Sequence, residues 1–281
     1  MRLEFVAHML GIILTIAIIV YVSMVYIFTV PRRPPSAIEV TPVTEVIGTP
    51  TEVVVGNIVY LPLPRKITNV VVEEAILWRR SIREYTSDPI SIENLAMLLW
   101  AAYGVTDTIW GLRACPSAGA TYPLEVYVVV GEKSVIIEGD RYLEAGVYKY
   151  DIYTHTLRLI RKGDFRGDLA RAALDQPWVK EAPINIVVTA VYERTTRIYG
   201  ERGASRYVPM EVGHLGQNVY LMATALGLGT VVVGAFFDHQ VSEVIRASAE
   251  EVPLYIIPVG VPKDMRITTF EDIQSYILRN R

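Results

Sequence analysis

Three arginines and a serine fall within five residues at Arg79-Arg80-Ser81-Ile82-Arg83, where a helical pattern over 71–80 gives out. A guanidinium grips phosphate through two parallel hydrogen bonds, which a lysine ammonium does not. Arg79 and Arg83 are four residues apart, so both can face one point near the helix end, with Ser81 as a donor between them. The competing reading is a solvated turn in which these cations pair with Glu73, Glu74 and Glu84. Three forks and a hydroxyl are denser than such a turn needs, so a site for one small phosphorylated ligand is favoured.

Two further segments could approach a planar ligand. Pro116-Ser117-Ala118-Gly119 opens a run of small residues directly before a strand, where backbone amides can come close to a ring. Gly234 and Ala235 stand at a strand end, where an amide can be presented to a ligand edge. The Gly227-Leu228-Gly229 element follows a helix instead of a strand, the wrong context for a dinucleotide fingerprint. His8, His155, His214 and His239 show no metal-ligand spacing, and no second cysteine joins Cys115, so no metal site is expected. A nucleophile elbow of the G-x-S-x-G type is absent. His214 reads as a packed, hydrogen-bonded helix-interface residue and Cys115 as an apolar filler.

Helices and strands must hold these residues in place. Ser91 caps a helix through Tyr103 with Leu95, Leu98, Leu99 and Ala102 on one face, and Gly104 stops it. Strands are expected at 124–130, 184–191, 230–233 and 254–259, and a hairpin at 146–151 and 156–160. The run over 184–191 is almost unbroken in apolar residues, as in a strand covered on both faces. Helices are expected over 165–174 and 241–247, and the longest over 209–226, with Val212, Leu215, Val219, Met222 and Leu226 on one stripe. The alternation lacks regular βαβ spacing, which favours an α+β sandwich.

The chain has 281 residues, a net charge of -3 and 51% hydrophobic residues. That balance argues against a nucleic-acid surface, which needs a broad basic face. Apolar excess is concentrated at residues 9–28, which carry no charged side chain. About 20 such residues cross a bilayer, so residues 1–30 read as a retained single-pass transmembrane anchor, with a cleaved signal as the alternative. Arg32 and Arg33 lean the following domain towards the cytoplasm by a small margin. Residues 31–67 are proline-rich and read as a linker, leaving 68–281 as the folded domain.

Taken in order, the segments RRSIREY at 79–85, LLWAAYGV at 98–105, PSAGATYPLEVYVV at 116–129, GVYKYD at 146–151 and VYERTTRIYGERG at 191–203 resemble the FMN-dependent nitroreductase superfamily. The 206–238 segment and YIIPVGVP at 255–262 extend the resemblance, and the SagB-like azoline dehydrogenase branch is the closer match. The resemblance implies a nitroreductase-like α-β-α sandwich that dimerises through long helices, with FMN at each end of the interface. Carried over, Arg79, Ser81 and Arg83 hold the FMN phosphate and ribityl chain, and Arg80 is a lesser contributor. Pro116, Ser117, Ala118 and Gly119 line the flavin, partly from the other subunit, while Gly234 and Ala235 place an amide near N5. The late basic ligand of the family falls at Lys263 or Arg266.

The resemblance also implies hydride transfer through flavin N5, with NAD(P)H and a small-molecule or peptide substrate as partners. Azoline-oxidising members carry a Lys-Tyr pair where this chain has Ile198-Tyr199, so Tyr199 is retained and the lysine is not. Tyr199 can donate a proton or pack over the ring, and both roles stay open. Nitroreductases have asparagine and glutamine in the small-residue loop, where Ala120 and Tyr122 stand here. An NAD(P)H-linked reductase is therefore expected ahead of an azoline dehydrogenase. A flavin-binding module without turnover and electron transfer to a membrane quinone are the rivals.

Overall fold

The computed structural model describes residue 21 and residues 53–281. The apolar run at 9–28 and most of the proline-rich stretch lie outside the described residues. Among the described residues no helix is long and apolar enough to cross a membrane.

The strands are β1 (Val54–Val55), β2 (Ile58–Tyr60), β3 (Ile90–Ser91), β4 (Leu124–Val130), β5 (Val135–Glu138), β6 (Arg141–Tyr142), β7 (Gly146–Asp151), β8 (Thr156–Lys162), β9 (Ile184–Val191), β10 (Gly229–Thr230) and β11 (Glu251–Gly260). The α-helices are α1 (Val72–Trp78), α2 (Ile92–Tyr103), α3 (Arg166–Ala172), α4 (Pro177–Glu181), α5 (Glu193–Tyr199), α6 (Val208–Ala225), α7 (Asp238–Ile245) and α8 (Phe270–Arg279). Eight strands form one sheet in the order β1-β2-β8-β7-β4-β9-β11-β10, and every pairing in it is antiparallel. That is the α+β class expected from the irregular alternation.

Period-two alternation sorts the central strands between two cores. Leu124, Val126, Val128 and Val130 of β4, with Ile184, Ile186 and Val188 of β9, pack with Leu95, Leu98 and Leu99 of α2 and Val212, Leu215 and Val219 of α6. Tyr127, Val129 and Val187 point the other way, against Leu169 of α3, Val179 of α4 and Val241 and Ile245 of α7. Helices therefore cover both faces, which is why β9 lacks polar alternation.

Local signals hold at the helix ends. Ser91 Oγ accepts from the Asn94 amide at 3.0 Å and starts α2. Gly227, with φ of 71°, ends α6. The Leu228 amide reaches back to the Ala223 carbonyl at 2.8 Å, and the Gly227 amide to that of Thr224 at 3.1 Å, a Schellman closure.

Two expectations need correction. The sheet begins at β1, inside the stretch assigned to the linker, so the folded region starts earlier than residue 68. Gly56 turns at φ of 61°, β1 folds back on β2, and Ile58, Val59 and Tyr60 pair with Arg158, Leu157 and Thr156 of β8. Flanking prolines hide a hairpin whose partner lies about a hundred residues away. The strand expected over 230–233 is only the two-residue β10, with Val233 as an isolated bridge to Ile256.

Candidate active site

The arginine-bearing segment runs as an extended ribbon between β10 and the chain leaving β11. Ser81 bridges Thr230, and the Ile82 amide donates to the Thr230 carbonyl at 2.9 Å. Tyr85 pairs with Pro262, and the Lys263 amide donates to the Glu84 carbonyl at 3.1 Å. Gly229 makes this approach possible, since a Cβ there would come within 2.7 Å of Ile82 Cγ2.

The three arginines separate by role. Arg80 turns back on its own helix, donating to the carbonyls of Leu77 at 2.9 Å and Arg79 at 2.7 Å and reaching the Thr268 hydroxyl at 3.3 Å. It covers the negative end of α1. Arg79 lies over the Tyr220 ring at 5.1 Å, and Arg83 over the Trp178 ring at 5.4 Å. Among the described residues neither has a carboxylate partner. Glu74 is engaged with the Val71 amide at 3.2 Å. The solvated ion-paired turn is therefore absent, and two stacked cations flank Ser81.

Tyr220, on α6, touches the arginine ribbon and was missed by sequence reasoning. Its hydroxyl lies 2.9 Å from Ser81 Oγ and accepts from the Val232 amide at 3.0 Å. Its only signal was a tyrosine off the apolar stripe of a long helix. Trp178 was also missed. It sits two residues after Gln176, whose amide nitrogen donates to the Ala235 carbonyl at 3.0 Å. Gly234 and Ala235 are exposed, and a Cβ built on Gly234 meets no atom within 4 Å. Lys263 and Arg266 are exposed, and only the Lys263 backbone is tied to the ribbon.

The small-residue loop forms a second group. Ser117 Oγ accepts from the Tyr122 amide at 2.9 Å, and residues 118–120 make one 3-10 turn with Gly119 at φ of 59°. Tyr199 closes on this turn: a Cβ on Gly119 would come within 2.5 Å of its hydroxyl oxygen. The helix carrying Tyr199 is fastened to the loop, with Arg194 donating to the Tyr122 carbonyl at 3.1 Å and Thr195 Oγ1 lying 2.8 Å from Thr121 Oγ1. Tyr199 also meets Tyr207 edge-on at 5.0 Å. Ile198 is 58% exposed beside it.

Beneath the loop, buried Glu211 accepts from the Tyr103 hydroxyl at 2.5 Å. Burial pushes the Glu211 carboxyl up, against the lowering effect of that bond and of Arg113. Cys115 is buried as expected, and burial raises its thiol to about 12, which makes it inert near neutrality. His214, expected to be packed at a helix interface, is instead exposed on α6. No group of three or more potential metal ligands occurs among the described residues.

A single chain does not unite the two groups. The loop runs along the face of α6 that bears Glu211 and Asn218, with Cys115 Sγ 3.2 Å from the Glu211 carbonyl and Asn218 donating to the Ala114 carbonyl at 3.2 Å. Tyr220 is nine residues beyond Glu211. That is about 14 Å along the axis and about half a turn around it. Arg79 and Ser81, which meet Tyr220, thus stand on one side of α6, and the loop that meets Glu211, with Tyr199, on another.

Comparison with known proteins identifies the class. The Nitroreductase family profile matches residues 76–261. The chain belongs to the nitroreductase family of oxidoreductases. A relative from Methanocaldococcus jannaschii, MJ1384, provisionally named a nitroreductase, is 48% identical over 205 residues, covering 73% of this chain and 98% of its own. A crystal structure from Ralstonia eutropha, assigned provisionally as a nitroreductase, superposes with a TM-score of 0.62 at 26% identity, covering 78% of this chain and 97% of that one. The trifolitoxin-processing protein TfxB of Rhizobium leguminosarum is 32% identical over 149 residues, 50% of this chain and 38% of the relative.

Proposed function

We propose that this protein is an FMN-dependent oxidoreductase that works as a homodimer and takes its reducing equivalents from NADH or NADPH. The observation that carries the reading is the pair of stacked guanidiniums, Arg79 and Arg83, flanking Ser81 and without carboxylate partners among the described residues. They fit a phosphate dianion, and Gly234 leaves room for a ring edge. FMN, when bound, supplies hydride transfer at N5. The chain's own residues orient it: Arg79, Ser81 and Arg83 hold the phosphate and ribityl end, and Gly234 and Ala235 offer an amide to the ring. Lys263 or Arg266 adds positive charge.

Because Pro116–Gly119 stand on another face of α6, their share of the site belongs to the second copy. That copy would bring Tyr199 to the ring as a proton donor or a packing surface. Residues 9–28 would tether the dimer to a membrane, with the domain on the cytoplasmic side.

The test is direct. Purified protein should be yellow and release FMN on denaturation, and NADH or NADPH should bleach the bound flavin. Arg83→Ala should weaken FMN binding about tenfold or more, because a phosphate charge loses its fork. A colourless preparation that takes up no FMN would sink the reading. The similarity to TfxB, a trifolitoxin-processing protein, keeps a second reading in view: oxidation of a heterocycle in a peptide. Its test is azoline oxidation by Ile198→Lys, which restores a lysine beside Tyr199.

A further inference from the structure

A cavity of about 530 Å³ opens behind the small-residue loop. Ala120, Thr121 and Tyr122 form one wall, and Arg113, Ile152, Tyr153 and residues of β2, β4, β7, β8 and α5 form the rest. Four cations line it, Arg113, Lys149, Arg158 and Arg194, against two carboxylates, Glu125 and Asp151. The carboxylates are committed. Glu125 binds Lys149 at 3.0 Å and Arg194 at 2.5 Å, and Asp151 accepts the amides of Tyr153 and Thr154 at 3.1 and 2.9 Å.

That leaves Arg113 and Arg158 without an acidic partner among the described residues. Strand register sets Arg158 directly opposite Lys149, whose ammonium is paired to Glu125 and Glu251 at 3.0 Å each, so the uncompensated charge at this pair is that of Arg158. Arg113 is held between the rings of Tyr122 at 4.3 Å and Tyr103 at 4.6 Å, and it donates to the Tyr153 hydroxyl at 3.1 Å. Its Nε and Nη1 are buried with no acceptor among the described residues. An aromatic-braced guanidinium in the wall of a polar cavity, with donors left unpaired, adds positive charge for a flat oxyanion.

We infer that this cavity binds a small anionic ligand, one bearing a phosphate or carboxylate on a flat aromatic body, at a place separate from the arginine ribbon. Arg158 meets the oxyanion, Arg113 adds charge from the cavity wall, and Tyr122 and Tyr153 meet the ring. The inference stands apart from the flavin assignment, because the cavity shares no lining residue with Arg79, Ser81 or Arg83.

Calorimetric titration of the purified full chain with AMP and with 4-hydroxybenzoate tests it and separates the two headgroup chemistries. Binding by either probe is expected, weakened about tenfold or more in Arg158→Glu and kept within a few-fold in Arg158→Lys. Arg158 is exposed on a strand surface, so the variants should fold, and unchanged melting checks this. Arg83→Ala should leave probe binding unchanged while flavin absorbance falls. Failure of both probes at millimolar concentration overturns the inference. So does binding that Arg158→Glu leaves intact, or binding that Arg83→Ala abolishes, which would place the anion in the flavin site.

Discussion

Ser81 Oγ and the Tyr220 hydroxyl lie 2.9 Å apart, and that one phenol also receives the Val232 amide. A single residue of α6 thus joins the arginine ribbon to the chain that leaves β10. Replacing Tyr220 with phenylalanine leaves the Arg79 stacking surface but removes both bonds. The expected result is a loss of about 1 kcal/mol in urea unfolding and weaker FMN retention. Retention equal to that of the parent would mean that Ser81 needs no such anchor.

Arg80 and Arg83 are close in sequence but should behave differently. Arg80→Ala removes the donor that covers the Leu77 and Arg79 carbonyls, so it should lower melting slightly and leave the FMN dissociation constant within a few-fold of the parent. Arg83→Ala should do the reverse. Paired fluorescence titrations and melts of the two variants check this, and equal losses of affinity would refute the division of roles.

Gly119 and Tyr199 are coupled by contact. Alanine at Gly119 must hold φ of 59° and place a methyl 2.5 Å from the Tyr199 oxygen. The expected cost is about 1–3 kcal/mol. In a Tyr199→Phe background the hydroxyl contact is removed while the ring contacts at 3.3 and 3.4 Å and the backbone part remain, so the cost should shrink. A double-mutant cycle measured by denaturant unfolding reads this coupling, and a coupling near zero would show that the hydroxyl does not press on the turn.

Glu251 supplies a pH dependence. It accepts from Thr189 at 2.6 Å, Tyr127 at 3.0 Å, Lys149 at 3.0 Å and Ser248 at 3.1 Å. Burial raises its pKa, but the bonds from Thr189 and Lys149 outweigh that and hold it below the ordinary 4.5. A depressed folded pKa means that this stabilisation is complete above 4.5 and is lost as pH falls through the folded value. Glu251→Gln should cost about 2 kcal/mol at neutral pH, and its stability should fall less steeply in acid than that of the parent. Parallel acid slopes for the two proteins would show that other carboxylates govern acid unfolding.

Local order was legible along the chain because it is written in local spacing. The β4 and β9 strands, the Ser91 cap, the Gly227 stop and the apolar stripe of α6 each depend on residues within a turn or two of one another. The arginine cluster and the small-residue loop were legible for the same reason: their residue types are dense over a few positions.

Only tertiary structure decided the rest. Arg80 faces its own helix end, Tyr220 reaches Ser81 across 139 positions, and Arg113 finds its tyrosines on three separate segments. The hairpin of β1 and β2 is held by β8, which no local pattern announces. Sequence alone determined where guanidiniums and small residues are dense. Half a turn of α6 determined that the loop and the arginines face different ways, because helical rotation between Glu211 and Tyr220 becomes a direction in space only once the helix is packed on its sheet.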